Sequence, residues 1–184
     1  MRVYLNPGHD PEHDSGACNA DGTREADIAA AIGAKTKKYL EAAGCTVMMR
    51  QSDNLCNDSD YEDRQDASVC PEANAWPADI FVSIHCNAAN AEARGTEVEC
   101  YGGGDGETLA QCIQSQIVKS LGTTDRGVKY MPGLLVLKHT DMTAVLVETA
   151  FIDQDDDCAL LVDRQDDFAR AIARGITDYD QATA

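Results

Sequence analysis

The 184-residue chain lacks any apolar run approaching the roughly 20 residues that a bilayer-spanning helix needs, so no membrane span is expected. It also lacks a basic excess. Fifteen Lys and Arg stand against 32 Asp and Glu, a formal charge of −17. Nucleic acid and anionic lipid both demand a cationic face, so neither is expected as a partner. Its eight cysteines include no C-x-x-C pair, which argues against a thiolate zinc ribbon or a thioredoxin-type motif. Met1-Arg2 runs straight into Val3-Tyr4-Leu5-Asn6 without the charged, apolar and small-residue order of a secretory leader, so no signal peptide is expected. Linkers, repeats and low-complexity stretches are missing too. That leaves one domain over residues 1–184, with its core at about 2–179.

What is present is an apolar fraction of 43 %, enough for a folded core at this length. The pattern alternates strand and helix. Apolar or β-branched runs predict strands at 2–6, 45–49, 80–84, 96–101, 134–138 and 144–149. Helical spacing appears at Ile28, Ile32, Tyr39 and Leu40 within 24–43, at Leu109, Ile113, Ile117 and Leu121, and at Phe168, Ile172, Ile176 and Tyr179. The polar stretch 58–75 reads as helical pieces interrupted by Pro71. Together these predict an α/β fold: a twisted, mostly parallel (mixed) sheet of about six strands with helices on both faces.

Histidine is scarce, and two of the four sit in turns just past apolar strands: His9 in Asn-Pro-Gly-His-Asp and His85 in Ser-Ile-His-Cys-Asn. Glu148 closes Ala-Val-Leu-Val. In open α/β sheets ligands gather at the carboxyl edge of the strands, so one edge can hold all three. A catalytic zinc site takes three protein ligands of the His/His/carboxylate kind and keeps one position open. His9 and His85 supply the imidazoles, and Glu25, heading the first long helix, is the best-placed carboxylate. Glu25 also has an ordinary explanation, because the helix dipole favours an acid in the first turn. Glu97 and Glu99 alternate along one strand and so share a face, either at the site or as a solvated edge. His13 and His139 read as surface or supporting residues, Cys86 as a core residue facing away from His85, and Asp155-Asp156-Asp157 as a helix start.

The segments Asn-Pro-Gly-His-Asp (6–10), Gly-Thr-Arg-Glu (22–25), Ala-Asp-Ile-Phe-Val-Ser-Ile-His-Cys-Asn-Ala (78–88), Gly-Thr-Glu-Val-Glu (95–99), Asp-Arg-Gly-Val-Lys (125–129) and Ala-Val-Leu-Val-Glu-Thr-Ala-Phe-Ile (144–152) occur in that order. As an ordered set they resemble the zinc-dependent N-acetylmuramoyl-L-alanine amidases, the Amidase_3 type of cell-wall autolysins and phage endolysins. The resemblance runs from Val3 to about residue 179. It implies one zinc ion held by His9, Glu25 and His85, catalytic roles for Glu148 and Glu97, and substrate contacts at Arg126 and Lys129. The chain departs from the family pattern at Asn6, where aspartate is usual, at Ile28 in place of asparagine, and at Thr143 in place of proline. None of these removes a ligand; they bear on tuning around the site.

By that resemblance the substrate is peptidoglycan or a muropeptide, the protein acts on the cell wall as a monomer, and the bond cleaved joins the lactyl group of N-acetylmuramic acid to L-alanine. Glu148 is expected to relay the water's proton to the leaving amine. Without a leader, the protein is expected to be released by lysis or to be a trimmed catalytic domain. Two other readings compete: a related zinc carboxypeptidase-like wall peptidase, told apart by its product, and a non-catalytic wall-binding module on the same fold. A complete ligand set beside Glu148 argues against the second.

Overall fold

The computed structural model describes residues 1–56 and 67–183. In chain order its elements are β1 (Arg2–Pro7), α1 (Glu25–Ala42), β2 (Thr46–Met49), α2 (Val69–Ala75), β3 (Ile80–Asn87) and β4 (Thr96–Cys100). Then follow α3 (Asp105–Leu121), β5 (Asp125–Tyr130), α4 (Leu135–Lys138), β6 (Thr143–Phe151), α5 (Asp155–Asp163) and α6 (Gln165–Thr183). The six strands form one mixed sheet in the order β2-β1-β3-β6-β4-β5. β2, β1, β3 and β6 are parallel, while β4 joins β6 antiparallel and carries β5 parallel to itself.

Strand alternation explains why both faces are covered, and by different amounts. Val3 and Leu5 of β1, Ile80, Val82 and Ile84 of β3, Val98 of β4, and Val145 and Val147 of β6 meet the large core cluster under α1, α3 and α6. That side also takes Ile28 and Ile32 of α1, Ile113 and Ile117 of α3, and Phe168 and Ile172 of α6. At Gly175 of α6 an added Cβ would stand 2.5 Å from Ile113 Cα, so glycine lets the two helix backbones meet. The opposite face is thinner. Tyr4, Phe81, Ala144 and Leu146 pack there against Val69, Cys70 and Ala73 of α2 and Val136 and Leu137 of α4. Arg50, just past β2, fastens α2 by a two-pronged ion pair: Nε donates to Glu72 Oε2 at 2.5 Å and Nη2 to Oε1 at 2.6 Å. The buried Tyr4 hydroxyl donates to the same carboxylate at 2.6 Å.

The fold class stands as expected, but two elements differ. Residues 134–138, read as a strand, form the single helical turn α4, and the fifth strand is 125–130 instead. A short unbroken apolar run does not distinguish strand from buried helix by periodicity. β5 carries no apolar alternation because it is a largely exposed edge strand. Pro71 lies within the first turn of α2, where its missing N–H has no intrahelical partner to lose, so it does not break that helix. The part of the 58–75 reading before residue 67 lies outside the described residues.

Candidate metal centre

β1 delivers the first ligand candidate. Beyond Pro7 the chain turns at Gly8, and His9 takes φ of 63°, a left-handed conformation uncommon outside glycine. Reciprocal backbone hydrogen bonds between Asp10 and Asp14, at 2.8 and 2.9 Å, close the loop that follows. This brings the Asp14 carboxylate to His9: Nδ1 lies 2.6 Å from Asp14 Oδ2 and Nε2 lies 3.1 Å from Glu25 Oε2. A carboxylate on one ring nitrogen fixes the ring's orientation and directs the other nitrogen to the site.

Glu25 is the first residue of α1 and is buried. Its Oε2 accepts from the Ala17 backbone N–H at 2.9 Å, its Oε1 from the Cys86 N–H at 3.0 Å, and His85 Nδ1 lies 3.0 Å from Oε1. His85 stands near the end of β3, just before a register shift between His85 and Asn87, and its ring meets that of His9 edge-on at 5.0 Å between centroids. One ligand atom from each of His9, Glu25 and His85 falls within 4.8 Å of the others; no other such group of acidic, His or Cys residues occurs among the described residues.

Two glycines make room for this convergence. A Cβ on Gly8 would sit 2.2 Å from the His85 ring, and one on Gly16 would sit 2.6 Å from both Glu25 Oε2 and His9 Cδ2. The donor set, two imidazoles and one carboxylate, is the kind a catalytic zinc ion takes. The residues present therefore fit the metal.

Charge is shared unevenly here. Burial opposes protonation of His9, but hydrogen bonds and charge from Glu25 and Asp14 outweigh it and raise its pKa to about 9. Burial likewise opposes ionisation of Glu25, yet the hydrogen bonds to His85 and His9 hold its carboxyl well below the usual range. Glu148 moves the other way: burial first, then the negative charges of Glu25, Glu99 and Glu97, push its pKa well above that of an ordinary glutamate.

Glu148 pairs with His85 across β3 and β6, and with Glu97 across β6 and β4. The three therefore form one row across the sheet, on the thinly covered face. Glu148 Oε2 is buried and finds no hydrogen-bond partner among the described residues. Glu97 is engaged on both oxygens, accepting from Asn87 Nδ2 at 2.9 Å and from Arg126 Nε at 2.8 Å. The Arg126 guanidinium also lies over the Phe151 ring, 4.8 Å from its centroid. Lys129 is exposed on β5, opposite Glu99 in register. Beside His9 and His85 opens a cleft of about 320 Å³, walled by Leu55, Leu134, Leu135, Val136 and Leu146.

The comparisons with known proteins agree on one family. Residues 3–178 match the Amidase_3 family, N-acetylmuramoyl-L-alanine amidase. The chain belongs to that family. The amidase is 38 % identical over 183 residues to the uncharacterised Bacillus subtilis protein YqiI, covering 96 % of the chain and 84 % of YqiI. It is 38 % identical over 185 residues to the endolysin of Bacillus phage SPP1, covering 94 % of the chain but only 62 % of the endolysin. Among solved structures it superposes on the N-acetylmuramoyl-L-alanine amidase AmiC2 of Nostoc punctiforme with a TM-score of 0.84 at 30 % identity, covering 98 % of this chain and 97 % of that one. No helix among the described residues is long and apolar enough to cross a membrane.

Sequence reasoning brought His9, Glu25, His85, Glu148 and Glu97 to one region of the amidase, and the structure gathers them there. It missed Asp14 and Asn87. Asp14 reaches His9 only because the Asp10–Asp14 loop folds back, and Asn87 reaches Glu97 across a strand irregularity; neither geometry has a local sequence signal. His13 pairs instead with Asp10 at 3.2 Å, and Cys86 is buried in the large core cluster opposite the site. Asp157, within the first turn of α5, is buried and accepts from the Gly95 and Phe151 N–H groups.

Proposed function

We propose that this chain is a zinc amidase that hydrolyses the bond between the lactyl group of N-acetylmuramic acid and L-alanine in the peptidoglycan stem peptide. The observation that carries the reading is the convergence of His9, Glu25 and His85 with the unpartnered Glu148 oxygen in the next strand. Zinc bound by these three residues would lower the pKa of a water molecule to about 7 and polarise the scissile carbonyl. Glu148 takes the proton of the attacking water and returns it to the departing L-alanine amine. Its raised pKa suits that relay, because a carboxylate more basic than an ordinary glutamate takes up the water's proton more readily. Glu97, held by Asn87 and Arg126, adds negative charge beside Glu148 and so helps keep it basic. Arg126 and Lys129 lie on the β5 side and serve the substrate's anionic groups. The single domain acts as a monomer on the cell wall.

Glu148→Gln tests the relay. The variant is expected to keep its zinc, measured by atomic emission after dialysis, while turnover on purified peptidoglycan falls by about 10²- to 10⁴-fold. Mass spectrometry of the products should show intact stem peptides with a free N-terminal L-alanine. Release of a C-terminal amino acid instead would identify a carboxypeptidase, and unchanged turnover in the variant would remove Glu148 from the chemistry.

A further inference from the structure

The row of residues next to the catalytic one holds a group that this mechanism leaves unused. Two positions along β4 from Glu97, Glu99 faces the same side of the sheet and is only 9 % exposed. Its neighbours in register are Leu146, which lines the cleft beside His9 and His85, and Lys129. Among the described residues nothing donates a hydrogen bond to its carboxylate, and no Lys or Arg stands within ion-pairing distance. Arg126, the nearby guanidinium, pairs with Glu97 rather than with Glu99. Burial, and then the charge of Glu97, raise the Glu99 pKa, so the carboxylate gains from any cation brought to it.

A buried acid without a partner is costly unless something else satisfies it. A second metal ion is a poor candidate, since among the described residues only His9, Glu25 and His85 bring ligand atoms close enough to share one. A cation carried on a flexible arm fits better. With strands about 4.8 Å apart and about 3.3 Å per residue along them, Glu99 lies roughly 12 Å across the sheet from His85. An extended peptide covers that span in two residues plus a long side chain.

We infer that Glu99 is a specificity-determining residue that receives the side-chain ammonium of a diamino acid in the stem peptide, about two residues beyond the scissile amide. This rests on the amidase reading above. A charge-assisted pair of this kind is worth a factor of about 10 or more in kcat/KM.

The test uses N-acetylmuramoyl tripeptides ending in lysine, with the lysine side-chain amine either free or acetylated. The native protein is expected to cleave the free-amine form with a kcat/KM about 10-fold higher, and Glu99→Gln to bring the ratio close to 1. A merely structural role for Glu99 would lower both rates and leave their ratio alone, which overturns the inference. Equal rates on both substrates in the native protein also overturn it while leaving the amidase reading intact. Failure to cleave either would sink the amidase reading and this inference with it.

Discussion

Gly8 offers the sharpest test of how the ligands are gathered. An alanine there would place its Cβ 2.2 Å from the His85 ring, with two further ring atoms at 2.4 and 2.5 Å. Carbon atoms settle at about 3.5 Å or more, so the ring must retreat by more than 1 Å. It cannot do so freely, because the His9 ring lies edge-on at 5.0 Å and Glu25 Oε1 holds its Nδ1 at 3.0 Å. Metal–ligand distances tolerate only about 0.2 Å, so a displacement of that size removes one of three ligands from reach. We expect Gly8→Ala to weaken zinc binding by at least about 100-fold, since disturbing merely the groups that support a ligand already costs 10- to 100-fold. The assay is competition with a chromophoric chelator, with circular dichroism to show that the fold persists. Gly102→Ala is the control: no atom lies within 4 Å of its added Cβ, and affinity should not change. Native-like zinc affinity in folded Gly8→Ala would refute the argument that backbone clearance at Gly8 sets the position of His85.

Asp14→Asn should keep the fold but weaken zinc binding by about 10- to 100-fold, because an amide holds the His9 ring less firmly than a carboxylate; the same chelator competition reads it. Zinc must displace the His9 proton, so between pH 6.5 and 9 its affinity should rise by about tenfold per pH unit and then level off. The sign is opposite for metal-free stability. The raised His9 pKa contributes fully below about pH 6.5 and is lost as pH climbs through 9, so the melting temperature should fall over that range. Glu72 behaves conversely: the hydrogen bond from Arg50 depresses its pKa, so its contribution is present above the ordinary carboxyl range and disappears as acid protonates it. Glu72→Gln should therefore flatten the acid limb of a urea-denaturation series, and an unaltered limb would exclude this ion pair as its source. Gly175→Ala should destabilise the protein by about 1–3 kcal/mol through overpacking of α6 on α3, measured by urea denaturation.

Much of this molecule was legible in the chain because its signals are local. The buried parallel strands read as unbroken apolar runs, and the helices of the large core keep their spacing. The candidate ligands fall just past β1, near the end of β3 and at the head of α1, where chain order alone predicts a ligand edge. The misreadings share one cause. β5 owes its pairing to β4 rather than to its own side chains, and residues 135–138 become helical in the cover over Tyr4 and Phe81. Contacts made across the sheet, such as Arg126 with Glu97, depend on register, which a single sequence does not display. Glu99 shows the same limit: alternation gave its face, but only packing reveals that it is enclosed.

The reversed direction of β4 carries its chain away from the edge of the sheet that holds the metal ligands. Glu97 enters at the start of β4 beside Glu148, so the glycine-rich turn at 102–104 that follows this strand emerges at the far end of the sheet, near Thr143 and Ala144. Cargo spliced into that turn, whether a fluorophore-bearing peptide or a carbohydrate-anchoring module, would leave the sheet at the end opposite the metal ligands, but close beyond Glu99.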